Sequence, residues 1–311
     1  MVITPPAWSL AIHGGSGTMT RDRIGDGDPY RSGLLAALAA GSAVLEAGGT
    51  ALDAVEAAVC VLEDDPLFNA GRGAVFTAEG RNELDAAIMD GATRQAGAVA
   101  GATRTRHPIS LARAVMEDSP HVLLARDGAD IFSIERGLEQ VEPAWFRTEA
   151  RWQALQAMKA AAARGEPLFD KNLKYGTVGA VARDSHGQLA AATSTGGLTG
   201  KRWARIGDSP LIGAGTWADD AVAISATGSG EDFIRVAAAH EISARIRFLG
   251  EAPQAAADAV IAELRTLGGD GGLIFVGADG SSGWSFNTPG MFRACVTSSA
   301  KPSVAIFDDE G

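Results

Sequence analysis

The sequence predicts an α+β protein whose sheets pack face to face beneath covering helices. Three observations carry that expectation. Alanine- and leucine-rich stretches at helical spacing dominate the first half, short apolar strands crowd together from residue 178 onward, and two more helical stretches precede a last group of strands. Helices and strands segregated along a chain, rather than strictly alternating, favour α+β over a doubly wound parallel sheet.

Residues 8–12 read as a short buried strand ending in a glycine-rich turn at 13–17. Residues 30–47 and 51–62 read as helices, because alanine and leucine recur at helical spacing. Between them, Gly48-Gly49-Thr50 ends one helix with glycine and offers Thr50 to cap the next. Strands follow at 84–89 and 96–103, then a helix at 108–117 with proline in its first turn and an alanine-rich helix at 146–164. Residues 165–175 are polar and without period, which is linker chemistry; taken alone they also suit an ordinary surface loop. The second half brings strands at 178–183, 188–193, 211–214 and 221–226, and helices at 231–249 and 253–267. Strands at 272–277, 283–286, 291–296 and 303–307 close the chain. There is no internal repeat and no low-complexity tract.

The 311 residues suffice for one large domain or two ordinary ones. With 38 acidic against 27 basic residues, the net charge of −11 argues against nucleic-acid or anionic-membrane partners. A local basic cluster at Lys201, Arg202 and Arg205 reads by itself as a solvated loop. No apolar run reaches the roughly 18–20 residues of a membrane span, and the first residues lack the basic start and apolar core of a signal peptide. The expectation is a cytoplasmic protein. Cys60 and Cys295 each sit in an apolar run and read as buried free thiols; neither shows the paired Cys/His spacing of a zinc site.

The chemistry concentrates in three hydroxyl-and-glycine clusters: Gly176-Thr177-Val178-Gly179, Thr193-Ser194-Thr195-Gly196-Gly197 and Thr227-Gly228-Ser229-Gly230. A threonine with a free α-amino group serves as nucleophile and as its own base. An α-amine has a pKa of about 7.7–8.0, so a useful fraction is neutral near pH 7 and no histidine is needed. Thr177 gains that amine only if the Gly176–Thr177 bond is cut. Read without that context, Thr177 is a β-branched residue suited to a strand start. Likewise, Gly228 and Gly230 before a helix suit a capping turn, and Arg205 with Asp208 suits a surface ion pair of little worth.

Together with Ile12-His13-Gly14-Gly15-Ser16-Gly17, Leu62-Glu63-Asp64-Asp65-Pro66-Leu67-Phe68-Asn69-Ala70-Gly71, Glu83-Leu84-Asp85-Ala86-Ala87-Ile88-Met89-Asp90-Gly91 and Arg205-Ile206-Gly207-Asp208-Ser209-Pro210, the three clusters resemble the plant-type asparaginase/isoaspartyl peptidase family of N-terminal nucleophile hydrolases. The resemblance covers nearly the whole chain. It implies a four-layer α/β/β/α sandwich and a single domain over 1–311. That domain cleaves itself, at the end of a flexible linker of about 165–176, into an α chain 1–176 and a β chain 177–311. It also implies Thr177 as nucleophile, Thr195 assisting it, and Thr227 and Gly228 meeting the oxyanion. Arg205 and Asp208 would clamp the substrate's α-carboxylate and α-ammonium, with the Gly230 carbonyl helping and Asn69 nearby. Gly15 would lie against the scissile Gly176–Thr177 bond. The resemblance implies no catalytic cofactor. It does imply a structural sodium ion held by the backbone carbonyls of Leu62, Glu63, Asp65, Phe68, Ala70 and Arg72.

The implied substrates are L-asparagine and β-aspartyl dipeptides, and the implied assembly is a dimer of αβ units. Two other readings are a glycosylasparaginase-like hydrolase and a non-maturing binding module of the same fold. The 13–17 loop lacks the Lys-Ser/Thr ending of a phosphate-binding loop. Two departures from relatives bear on specificity: Trp203-Ala204 where many carry Pro-Gly, and Arg72 where some are apolar.

Overall fold

The computed structural model describes residues 7–165 and 176–310; all but the ends of the expected 165–176 linker lies outside the described residues. The strands are β1 (Ser9–Gly17), β2 (Leu84–Asp90), β3 (Ala96–Ala102), β4 (Leu123–Ala125), β5 (Val178–Arg183), β6 (Leu189–Thr195), β7 (Thr216–Ala218), β8 (Val222–Gly228), β9 (Gly271–Gly277), β10 (Ser282–Phe286), β11 (Gly290–Thr297) and β12 (Ala300–Phe307). The helices are α1 (Arg21–Ile24), α2 (Asp28–Glu46), α3 (Ala51–Asp64), α4 (Pro108–Asp118), α5 (Arg126–Glu135), α6 (Glu149–Ala163), α7 (Gly230–Arg235), α8 (Ala238–Ala244) and α9 (Pro253–Thr266).

Eight strands form one sheet in the order β12-β11-β1-β5-β6-β2-β3-β4, and four form a second in the order β10-β9-β8-β7. All neighbours are antiparallel except β3 and β4. Helices α2, α3 and α4 cover the outer face of the large sheet, and α8 and α9 cover that of the small one. The inner faces pack on each other, giving the α/β/β/α sandwich. Between the sheets, Ala11, Val181 and Ala191 of the large sheet pack with Ala223, Ile274 and Val276 of the small one. Larger ones, including Leu34, Leu38, Val55 and Phe292, fill the space under α2 and α3.

Local chemistry explains most boundaries. Thr50 caps α3 by accepting from the Asp53 amide at 3.1 Å, as its place before the helix predicts. Thr148 does the same for α6, so that helix begins at Glu149, and Phe146 belongs to a preceding 3-10 turn.

Four local expectations are corrected. The 13–17 glycines do not form a turn but continue β1, with a bulge between His13 and Gly15 against β11. A bulge absorbs the glycines that read as a turn. Residues 211–214 form no strand, and only Ile212 makes an isolated bridge, to Thr216. The helix expected over 231–249 breaks into α7, α8 and a π-turn over Arg245–Leu249, with Ala237 at φ 49° between α7 and α8. The break and the missing strand share one cause. The Gly213 and Ala214 carbonyls accept from the His240 and Ala239 amides at 2.9 and 3.1 Å, supplying acceptors to the first turn of α8. Finally, α5 and β4 went unforeseen: α5 is mostly exposed and weakly apolar, and β4 is three residues long.

Candidate active site

Thr177 stands at the head of β5, the strand flanked by β1 and β6 near the middle of the large sheet. It is 8 % exposed and lines a cleft that is partly open to solvent. Its Oγ1 donates to Thr195 Oγ1 at 3.1 Å and lies 3.4 Å from Ser209 Oγ. The end of β6 supplies Thr195, whose hydroxyl also accepts from the Gly197 amide at 3.0 Å. Thr195 is thereby held with its oxygen toward the threonine in register beside it.

Gly176 crosses the bulge of β1 at Gly15. Gly15 has φ 111°, and a Cβ there would collide with the Gly176 backbone; a Cβ on Gly176 would strike Gly15 in return. Only a pair of glycines allows the two backbones to approach this closely beside the Gly176–Thr177 bond. Thr227, at the end of β8 in the second sheet, faces the same place from across the sandwich. Ser16 ties it there, its amide donating to Thr227 Oγ1 at 3.4 Å and its hydroxyl to the Thr227 carbonyl at 3.0 Å. Gly228, at φ 150°, lies where a Cβ would run into the Asp270 carbonyl.

Arg205 and Asp208 both line the cleft, but they do not bond each other as a surface ion pair would. Arg205 grips Glu231 through Nε at 2.9 Å and Nη2 at 2.8 Å. That occupies one edge of the guanidinium and leaves Nη1 toward Gly207, where a Cβ would stand 2.7 Å from it. Asp208 is 3 % exposed, and its Oδ2 has no hydrogen-bond partner. Burial pushes its carboxyl up to about 6, against the pull of the Arg205 guanidinium. Gly230 begins α7 beside both side chains; a Cβ there would sit 2.7 Å from Arg205 Nη2 and 2.9 Å from Asp208 Oδ1. The residues of both expected groups, hydroxyl and charged, therefore share one cleft.

Asn69 lines the cleft too, but its amide is spent on backbone. Nδ2 donates to the Gly197 carbonyl at 2.8 Å, and Oδ1 accepts from the Val75 amide at 2.9 Å. It holds the 196–197 turn that positions Thr195. The expected solvated basic cluster is corrected. Lys201 is 2 % exposed, donates to the Glu83 carbonyl at 3.0 Å and lies 3.8 Å from Asp85, while Arg205 is taken by Glu231. Only Arg202 of the three is exposed.

Trp203 and Ala204 have φ of 53° and 59°, a left-handed pair, and the Trp203 side chain is 90 % exposed. Arg72 stacks over the Trp145 ring at 4.9 Å. His13 is fully buried, its Nε2 2.9 Å from Ser225 Oγ. Burial brings it down to about 3, only partly offset by the Thr177 backbone, so it is neutral near pH 7.

The 62–72 loop leaves the end of α3 and folds back tightly. A Cβ on Gly71 would collide with the Glu63 carbonyl, and one on Gly73 with the Phe68 carbonyl. The backbone passes both glycines too closely for any side chain there. The Asp65 and Ala70 carbonyls each accept one amide, from Phe68 at 3.2 Å and Gly73 at 3.0 Å, which leaves each a second lone pair. A backbone carbonyl with a spare lone pair is the hard oxygen donor that a small cation takes.

Sequence reasoning passed over Ser209, Ser16 and Glu231 as site residues. Ser209 beside Asp208 and Ser16 beside Gly15 both stand in motif segments and were within reach of them; Glu231 reaches the site only through its tertiary contact with Arg205.

A threonine heading a central strand of an α/β/β/α sandwich, with hydroxyl donors around it, defines the N-terminal nucleophile hydrolase class. Residues 6–306 match the family profile described as Asparaginase. The chain is 48 % identical to an isoaspartyl peptidase of Salmonella typhimurium over 307 residues, covering 96 % of this chain and 98 % of the relative. It is 47 % identical to an isoaspartyl peptidase of Escherichia coli (97 % of each chain) and 42 % identical to a plant-type L-asparaginase of Pyrococcus horikoshii (92 % and 95 %). The chain belongs to the plant-type asparaginase/isoaspartyl peptidase family.

Proposed function

We propose that this chain is a self-processing threonine amidohydrolase that releases L-aspartate from L-asparagine, from β-aspartyl dipeptides, or from both. The observation that carries the reading is the convergence of Thr177, Thr195, Ser209 and Thr227 with Arg205 and Asp208 on one cleft. Hydrolysis of the Gly176–Thr177 bond divides the chain into an α chain 1–176 and a β chain 177–311 that remain one domain, and it frees the Thr177 amine. Oγ1 then attacks the side-chain carbonyl of the substrate, with its proton passing to that amine. Thr227 Oγ1 and the Gly228 amide are the donors for the developing oxyanion. Ammonia or the leaving amino acid departs with the proton, and water resolves the acyl-enzyme.

Arg205 binds the α-carboxylate through the edge Glu231 leaves open. Asp208, ionised above pH 6, holds the α-ammonium together with the Gly230 carbonyl. The carbonyls of the 62–72 loop hold a structural sodium ion, and no catalytic cofactor takes part. Among the described residues no helix is long and apolar enough to cross a membrane; a cytoplasmic (αβ)2 assembly accords with the unpaired cysteines and with the family.

Intact mass and N-terminal sequencing after a warm incubation test the reading. Two fragments, the second beginning Thr177-Val178-Gly179, are expected, together with aspartate release that Thr177→Ala abolishes. A chain that stays at 31.9 kDa and releases no aspartate from either substrate would leave the binding-module reading in its place.

A further inference from the structure

Outside the cleft, Cys60, Glu63 and His107 turn three donor chemistries toward one point. Cys60 and Glu63 stand three residues apart on α3, so they share a helix face. His107 is the N-cap residue of α4, which packs beside α3. The thiol sulfur, a carboxylate oxygen and a ring nitrogen all lie within 4.8 Å of one another. His107 Nδ1 is 3.3 Å from Glu63 Oε2, at ion-pair distance, and neither buried atom has a hydrogen-bond partner outside this pair.

Glu63 is fully buried and does not rotate freely. Its Oε1 accepts from the Ile109 amide at 3.0 Å and from Ser194 Oγ at 2.6 Å, which leaves Oε2 aimed at the gap. Behind the histidine, Asp64 Oδ2 stands 3.7 Å from Nε2. That oxygen accepts from Arg106 Nη2 at 2.9 Å and does not bond the ring at this distance.

We propose that Cys60, Glu63 and His107 bind one divalent transition-metal ion of borderline softness, for which Zn2+ is the best match. A sulfur, nitrogen and oxygen set suits zinc, whereas calcium and magnesium select oxygen alone. Tetrahedral zinc with bonds of about 2.0–2.3 Å sets its donors about 3.3–3.7 Å apart. The histidine–glutamate pair already has that separation, and Cys60 needs to close by no more than about 1 Å. Binding exchanges the Cys60 S–H proton for an S–Zn bond and releases the proton to solvent. Water enters as fourth ligand along the partly exposed edge of His107. The ion would use the Glu63 side chain, distinct from the Glu63 carbonyl in the 62–72 loop, and would clamp α3 to the start of α4.

The test takes the full chain after dialysis against a chelator and titrates it with Zn2+ by calorimetry and with Co2+ by optical spectroscopy. One Zn2+ per chain, a thiolate-to-cobalt charge-transfer band in the near ultraviolet and a rise in Tm with Zn2+ are expected. Cys60→Ser should lose the band, and Cys60→Ser and His107→Asn should each weaken Zn2+ binding by more than about tenfold. Each variant's Tm in metal-free buffer reports whether it still folds. Absence of saturable Zn2+ binding to the wild-type chain, a cobalt spectrum without the thiolate band, or unchanged affinity in both folded variants would overturn the proposal. None of these readouts depends on amidohydrolase activity.

Discussion

Asp208 is a carboxylate buried beside a guanidinium that is committed to another partner, and its chemistry yields a pH prediction. If the ionised form holds the substrate's ammonium, KM should rise as pH falls through about 6, in addition to the fall in kcat that protonation of the Thr177 amine brings; steady-state kinetics between pH 5 and 8 separate the two. Stability moves with the opposite preference. A carboxyl whose folded value is raised above its unfolded one takes up a proton on folding between the two. Its contribution is therefore most favourable at low pH and is lost as pH rises through about 6. Asp208→Asn should gain stability relative to wild type between pH 4 and 7 in urea denaturation, and should lose substrate binding.

Two further residue-scale outcomes follow from contact geometry. Thr227→Val keeps the shape but removes a donor from the proposed oxyanion site, and should lower kcat by about 10²–10³-fold. Gly15→Ala places a methyl against the Gly176 backbone and should slow or abolish fragment formation on a denaturing gel, while wild type matures alongside it. A Gly15→Ala chain that matures at the wild-type rate would remove Gly15 from any part in cleavage.

At the scale of elements, the sequence was legible where a local cause sets the boundary. Thr50 before α3, proline at the start of α4 and of α9, and the short apolar runs of β5 and β6 all act within a few residues. It was illegible where the partner is distant. Residues 211–214 have an apolar, strand-like pattern, yet their backbone carbonyls serve α8, and nothing near 237 in the sequence announces a helix break. Ala237 at φ 49° carries the cost of that arrangement. Replacing it by glycine should remove about 1–2 kcal/mol of left-handed strain against about 0.4–1 kcal/mol of added chain entropy. A small rise in Tm by calorimetry is expected, and a fall would show that the alanine methyl packs favourably there.

Across the whole molecule, the space between the two sheets is set by small residues. Ala191 is fully buried there, in the same cluster as Ala223 and Ile274. Ala191→Leu should overpack that layer, cost about 1–3 kcal/mol and lower Tm by several degrees. It should also slow catalysis, since β6 carries Thr195 and β8 carries Thr227, and their separation is the distance across this layer. A variant with unchanged Tm and kcat would mean the layer has slack.

What the sequence determined by itself was the type and order of most elements and the set of residues from which the site is built. Helical and strand periods, caps and turn residues are short-range effects, and the motif residues could be named one by one. What only the tertiary structure decided was their meeting. Thr177 heads β5, Thr195 and Thr227 sit on β6 and β8, Ser209 and Arg205 on the chain between, and Ser16 on β1. Sheet order and the stacking of two sheets bring these residues to one cleft. The same folding, invisible to spacing rules for zinc sites, joined His107 to Cys60 and Glu63 and committed Arg205 to Glu231. Such contacts depend on strand register and sheet-on-sheet packing between segments far apart in the chain, and no local pattern of residues encodes either.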